Sequence, residues 1–71
     1  MDSKRIGRVC QKARLKNSQT LKDVASETYY SVENISAFEH GRVRNSQILI
    51  YYIIKYGLGY KDFMEEENGH G

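Results

Sequence analysis

Two helix-start signals that lie close together in residues 20–41 constrain the fold of this chain most strongly. Thr20 is a typical helix N-cap, and Asp23 follows three positions later, where a carboxylate favours the positive end of a helix. Ser31 is a second N-cap, and Gly41 is a residue that commonly ends a helix. We therefore predict two short helices joined by a tight turn, covering residues 21–28 and 32–40.

Both predicted helices carry apolar residues at helical spacing. Because so few residues separate the helices, they must cross steeply and bury these residues between them. The set predicted to be buried is Leu21, Val24, Ala25, Ile35 and Phe38.

The same stretch resembles the helix-turn-helix of the lambda-repressor/Cro/Xre family of bacterial and phage DNA-binding domains. That family has an apolar residue followed by Ala in its second helix, then a turn, a Ser or Thr cap, a core Ile or Val, and a Glu close to a Gly. The matching residues here, with no gap in the spacing, are Val24, Ala25, Ser31, Ile35, Glu39 and Gly41.

The similarity extends over roughly residues 5–64. Residues 6–14 resemble the family's first helix, which we expect over residues 3–16. Residues 56–64 resemble its last turn and helix, and we expect that helix over about residues 60–67. The resemblance implies an all-α, compact five-helix lambda-repressor-like domain with a helix-turn-helix formed by helices 2 and 3.

Two positions depart from the family pattern. Tyr29 stands in the turn where the family usually has Gly, and because Tyr tolerates a positive φ poorly, we expect a wider or strained turn. Leu21 stands where the family often has a Gln that contacts a phosphate, while Gln19 lies two residues earlier.

Length and composition predict one small domain, formed by residues 1–67, with a disordered C-terminal end at residues 68–71. A chain of 71 residues has a modest core, so its stability would gain from dimerisation. The single cysteine, Cys10, falls on the apolar face of helix 1, and we expect a buried structural thiol rather than a redox switch. His40 and His70 each stand without a second ligand at metal spacing, so we expect no metal and no cofactor.

Charge is unevenly distributed along the chain, whose net charge is +2. All 11 Lys and Arg lie in residues 1–61 beside five of the nine acids, which leaves +6, and the last ten residues carry the other four acids. This excess of positive charge over residues 1–61 favours binding to a polyanion, although such an excess is also common on solvated surfaces. The apolar stretch at residues 48–54 is too short to cross a membrane, and we expect a cytoplasmic, nucleoid-associated protein.

The resemblance also implies roles for individual residues. Arg14 matches a family position that points inward and pairs with the Glu near the end of the recognition helix, here Glu39. The family's base-contacting positions fall on Val32, Glu33, Asn34 and Ala37. Phosphate contacts are expected at Gln19, Thr20, Ser31, Ser36, Arg42 and Arg44.

The side chains at the base-contacting positions have distinct chemistry. Asn34 could make a paired donor and acceptor contact with adenine, and Glu33 could accept from cytosine N4, while Val32 and Ala37 could pack on thymine methyl groups. Two alternatives stay open: Glu33 stabilises the positive end of its own helix instead, and Asn34 is an ordinary exposed helical residue.

Residues 48–56 are rich in β-branched and aromatic side chains, which suit a strand, but the family register and Gly57 favour a helix capped by Asn45 or Ser46. A helix this apolar leaves some residues outside one small core. Those expected to face inward are Leu49, Tyr52, Ile53 and Tyr56. A dimer interface is expected at Ile50, Tyr51, Ile54, Tyr60 and Phe63; the alternative is that these aromatic residues only cover the monomer core.

These features bear on the class of function. The chain lacks a Gly-rich phosphate loop, a nucleophile with its base and a metal cluster, so we do not expect an enzyme. The resemblance implies a sequence-specific double-stranded DNA-binding transcriptional regulator, a phage or bacterial repressor, that inserts helix 3 in the major groove of a palindromic operator as a homodimer. The alternative is a helix-turn-helix module that binds a regulatory protein partner, such as an antitoxin, which the acidic Glu33 and the surplus apolar residues favour.

Overall fold

Five helices and no strand make up the part of the chain that the computed structural model describes, which is residues 2–68, with side chains described for residues 2–64. The expected all-α class is therefore confirmed for this range. α1 packs against α3, α4 and α5, and α2 packs against α3, so α1 lies at the centre of the fold. The helices are α1 (Ser3–Lys16), α2 (Leu21–Ser26), α3 (Val32–Glu39), α4 (Ser46–Tyr56) and α5 (Tyr60–Asn68).

Side-chain caps begin the first four helices. Thr20 and Ser31 cap α2 and α3, as the sequence predicts, and the Asn45 side chain accepts hydrogen bonds from two amides at the start of α4. The Asp2 carboxylate caps α1 by accepting from the amide of Arg5 at 2.8 Å. Local capping signals therefore place the helix starts correctly.

The bounds of α2 and α3 differ from the prediction at their C-terminal ends. α2 ends at Ser26 instead of residue 28. The hydroxyl of Thr28 accepts a hydrogen bond from the amide of Tyr30 at 3.2 Å, and this bond favours a turn over a continued helix. α3 stops at Glu39, with His40 as its C-cap. The connection between the two helices is wider than a minimal turn, and Tyr29 does not adopt a positive φ.

The C-terminal helix runs one residue further than expected. Asn68, which the sequence analysis assigns to a disordered end, is the last residue of α5. The rest of that expected end, residues 69–71, lies outside the described residues.

The core contains residues from all five helices, and it corrects the expected orientation of α4. Tyr52 is fully buried as predicted, and Leu49, Ile53 and Tyr56 are partly buried and pack against the core, but Ile48, which was not expected to face inward, is buried more deeply than these three. α4 is therefore rotated toward its Ile48 side relative to the prediction. The buried apolar side chains are Val9, Cys10, Val24, Ile35, Phe38, Ile48, Tyr52 and Phe63.

A close helix crossing holds α1 against the end of α3. Gly7 is buried, and a Cβ atom placed on it would lie 2.3 Å from the carbonyl oxygen of Glu39. Only glycine permits this approach of the two backbones. The Cys10 side chain lies one turn along the same helix, fully buried.

None of the helices in the described range combines the length and apolarity required to span a bilayer.

Candidate nucleic-acid interface

A buried ion pair fixes the orientation of α3. Arg14 on α1 donates to Glu39 on α3 through Nε at 2.7 Å and through Nη2 at 2.9 Å. Only 6% of Arg14 and 4% of Glu39 are exposed. The pair that the resemblance implies is present, and it is bidentate, the geometry in which Arg holds a carboxylate most strongly.

Two further partners complete this network and were not predicted from the sequence. The third nitrogen of Arg14, Nη1, donates to the carbonyl oxygen of Gln19 at 2.8 Å, and the hydroxyl of Tyr52 on α4 donates to Glu39. The hydrogen bonds to Glu39 raise the pKa of the Arg14 guanidinium, and burial followed by the bond to Glu39 raises the pKa of Tyr52. Both groups keep their protonated form, so the network joins α1, α3, α4 and the segment before α2 over the ordinary pH range.

The N-terminal end of α3 presents the side chains expected to contact bases. Val32, Glu33 and Asn34 are exposed, with Val32 the least so at 36%, while Ala37 is half-buried. Ser36 is also half-buried. Three of the four predicted base-contacting residues therefore lie together at one accessible end of the helix, and Ala37 is less accessible than predicted.

The cap of α3 uses the side chain of Asn34 as well as that of Ser31. The Ser31 Oγ accepts from the amide of Asn34 at 3.1 Å, while the Asn34 Oδ1 accepts from the Ser31 hydroxyl at 2.9 Å and from the Ser31 amide at 3.4 Å. This reciprocal arrangement is a capping box. The oxygen that a paired contact with adenine would need is therefore already bonded within the chain.

The start of α2 is less open to a phosphate than the sequence predicts. The Asp23 Oδ2 accepts from the amide of Thr20 at 2.7 Å, and the hydroxyl of Thr20 accepts from the amide of Asp23 at 3.0 Å. The bonds from Thr20 lower the pKa of the Asp23 carboxyl, so a negative charge stands at this helix end. Gln19, the other phosphate contact expected here, is half-buried, and its carbonyl oxygen accepts from Arg14.

The loop that follows α3 places its cations next to the start of α1. Arg42 and Arg44 are both exposed, and Arg44 Nε donates to the hydroxyl of Ser3 at 2.9 Å. Gly41 has φ +75°, and a Cβ atom placed there would lie 2.7 Å from the backbone of Lys4. The start of α1 therefore lies beside the basic loop. The sequence feature that indicates this contact is the glycine at position 41.

The residues expected at a dimer interface fall into two groups. Ile50, Ile54 and Tyr60 are exposed by 52%, 76% and 78%, as an interface requires. Tyr51 is half-buried and donates to Glu27 at 2.6 Å, and Phe63 is part of the core with 8% exposure. Phe63 is therefore wrongly predicted, because the side of α5 that packs on α1 is the one that carries it.

Cys10 and His40 are the residues of the described range that could carry thiol or imidazole chemistry, and His70 lies outside that range. Cys10 is fully buried, and burial raises the pKa of its thiol to about 12. The His40 ring nitrogen Nδ1 lies 2.8 Å from the carbonyl oxygen of Ser36, in the helix that His40 caps. Over the described residues, no group of three or more His, Cys, Asp or Glu side chains is placed to hold a metal ion.

Comparison with known proteins adds no relative: no family model, no curated protein and no solved structure matches the chain.

Proposed function

We propose that this protein binds double-stranded DNA sequence-specifically and acts as a transcriptional regulator, with α2 and α3 as a helix-turn-helix of the lambda-repressor type. The observation that carries the proposal is the exposed N-terminal end of α3, held on a buried Arg14–Glu39–Tyr52 network. A reading helix must be held rigidly, because base contacts depend on placement within a fraction of an ångström. α3 then enters the major groove at the end that carries Val32, Glu33 and Asn34.

The position of the basic loop suits this arrangement. An α-helix with its side chains is about 10–12 Å across, which fits the width of the major groove, and α3 is directly followed by this loop. With the N-terminal end at the bases, the loop at the other end of the helix stands near the sugar-phosphate backbone. Arg42 and Arg44 lie in that loop and are the proposed phosphate ligands.

The charge distribution supports a polyanionic partner. The chain has a net charge of +6 over residues 1–61, from 11 basic and five acidic side chains. One of those acids, Glu39, is neutralised inside the fold by Arg14, and another, Glu27, pairs with Lys55 at 3.1 Å. Few uncompensated carboxylates therefore oppose binding to phosphates.

A dimer would read two half-sites, and α4 offers a surface for one. Ile50 and Ile54 lie one helical turn apart on the exposed face of α4, and Tyr60 is exposed at the start of α5. Exposed apolar side chains one turn apart are typical of protein interfaces. We propose that this face pairs two copies on a palindromic operator.

The test is selection of bound duplexes from a random DNA pool at about physiological salt, with sequencing of the bound fraction. The expected result is an inverted repeat whose half-sites are centred about one helical turn apart. The Val32→Asp, Asn34→Ala double variant serves as a control that removes the reading surface while leaving the core intact. Weak retention without any preferred sequence, lost as salt rises, would contradict sequence-specific binding.

A protein-binding module is the second candidate function, and the exposed Ile50, Ile54 and Tyr60 favour it. In that case the apolar face would contact a different protein rather than a second copy. The same selection separates the two functions, because a module that only binds protein enriches no DNA sequence in either the wild type or the control variant.

A further inference from the structure

The Asn34 carboxamide has only one of its two polar ends available. A carbonyl oxygen accepts at two lone pairs, and in Asn34 Oδ1 one is directed to the Ser31 hydroxyl at 2.9 Å and the other to the Ser31 amide at 3.4 Å. The amide donor at Ser31 also fixes which end of the carboxamide is the oxygen, since an NH₂ group cannot accept from an N–H. The Nδ2 group of this exposed residue is therefore the end that a partner would meet.

An NH₂ group that acts only as a donor distinguishes bases differently from a complete carboxamide. Adenine presents an acceptor at N7 and a donor at N6, so it needs both ends of an Asn side chain. Guanine presents two acceptors, N7 and O6, so an NH₂ donor finds an acceptor at either position and leaves no donor of the base edge unpaired. A donor-only Asn opposite adenine would leave the adenine N6 donor without an acceptor from this side chain.

We propose that Asn34 is a specificity-determining residue that reads guanine in the major groove through Nδ2, while its Oδ1 stays in the capping box with Ser31. This inference rests on the proposed DNA binding and defines one base preference within it. It replaces the paired contact with adenine that the residue type alone suggests.

The capping box remains in place on DNA for an energetic reason. Releasing Oδ1 to bind adenine would leave the first turn of α3 without one of its two reciprocal cap bonds and would separate Oδ1 from the Ser31 hydroxyl. A contact with guanine needs no such loss. Since α3 has only eight residues, its cap is a large part of what holds its N-terminal end in shape.

Three variants test the proposal by the same selection from a random duplex pool. Asn34→Asp keeps an acceptor for Ser31 but has no donor, and Asn34→Ala removes the donor without adding a charge. Ser31→Ala removes the hydroxyl that occupies one lone pair of Oδ1, so that lone pair becomes available to the adenine N6 donor while the backbone amide at position 31 keeps the other. Melting curves show which variants remain folded before the selection is interpreted.

The wild type is expected to prefer guanine to adenine by roughly 10-fold at one position of each half-site, in line with the usual value of a good base contact. That preference disappears in Asn34→Asp and Asn34→Ala, with the other positions unchanged, and moves toward adenine in Ser31→Ala. A wild-type preference for adenine at the position that the Asn34 variants change, or an unchanged motif in both of them, overturns the proposal. If Ser31→Ala is unfolded, the two Asn34 variants decide alone.

A wild type that enriches no motif at any position refutes the DNA-binding function itself, and this outcome is distinct from a motif that lacks the guanine.

Discussion

The hydroxyl of Tyr52 on α4 donates to the carboxylate of Glu39 on α3, the same group that Arg14 holds with two hydrogen bonds. The helix that carries the exposed Ile50 and Ile54 is thus joined directly to the helix proposed to read DNA. Because three donors satisfy one buried carboxylate, the loss of that carboxylate would leave all three without their partner.

Removing the carboxylate is expected to destabilise the fold strongly. In Glu39→Ala the buried Arg14 guanidinium keeps its charge but loses its partner, which costs roughly 3–5 kcal/mol in the free energy of unfolding. Chemical denaturation followed by circular dichroism measures this change. Glu33→Ala, at an exposed position on the same helix, is the matched control and should change the free energy by less than about 0.5 kcal/mol. Equal denaturation midpoints for the two variants would show that the pair does not stabilise the fold.

Adding one methyl group at Gly7 should also destabilise the protein. The new Cβ atom would lie 2.3 Å from the Glu39 carbonyl oxygen and 2.6 Å from that of Phe38, so α1 and α3 would have to move apart. We expect Gly7→Ala to cost roughly 1–3 kcal/mol, more than the gain of about 1 kcal/mol that Ala provides over Gly within a helix. Gly59→Ala is the control, because its Cβ would meet its nearest neighbour at 3.9 Å. Thermal melting of both variants makes the comparison, and a Gly7→Ala protein as stable as wild type would contradict the close crossing.

Replacing a loop arginine should weaken DNA binding without changing its sequence preference. Arg42→Ala and Arg44→Ala each remove one proposed phosphate contact, so the slope of log K against log salt should fall in magnitude by about 1. Fluorescence anisotropy on a selected operator and on an unrelated duplex measures both effects. Lys61→Ala changes the net charge equally at an exposed position of α5, outside the loop, and should leave the slope nearly unchanged. A loss confined to the operator would indicate that the arginine reads bases or a narrow minor groove.

The Cys10 thiol should be unreactive in the folded protein and should make the fold sensitive to alkali. Burial, with a smaller effect of the Glu39 charge, raises the thiol pKa from 9.0 to about 12. The unfolded chain loses this proton near pH 9 while the folded chain keeps it, so the contribution of the thiol to stability is complete below pH 9 and falls as the pH rises toward 12. A thiol reagent at pH 8 should label Cys10 slowly in the native state and rapidly in denaturant. Rapid native labelling would contradict the burial, and Cys10→Ala should show a smaller alkaline loss of stability than the wild type.

A charge on the exposed face of α4 should prevent the proposed pairing. Ile54→Lys places an ammonium group on the exposed apolar surface of α4. Dimerisation would remove water from this charge, which is costly in free energy. Sedimentation of the operator complex should change from two protein copies to one. Leu15→Lys, on α1 at a side chain with 58% exposure, is the control and should retain two copies. If both variants retain two copies, pairing uses a different face.

The sequence determined the features of this fold that depend on a few neighbouring residues. Thr20, Ser31 and Asn45 each cap the helix that follows them, because a cap bonds to amides only two or three positions away. The all-α class needed the resemblance as well, because the local propensity of residues 48–56 suits a strand. The pairing of Arg14 with Glu39 came from the resemblance to a family and not from any local pattern.

Tertiary structure alone decided which faces of the helices are buried. Ile48 is more deeply buried than Leu49, and Phe63 belongs to the core instead of an exterior surface, because the rotation of each helix depends on where the other helices stand. The need for Gly7 and the hydrogen bond from the hydroxyl of Tyr52 to Glu39 belong to the same class. Each depends on the distance between atoms of different helices, and such distances are set only once the helices have packed.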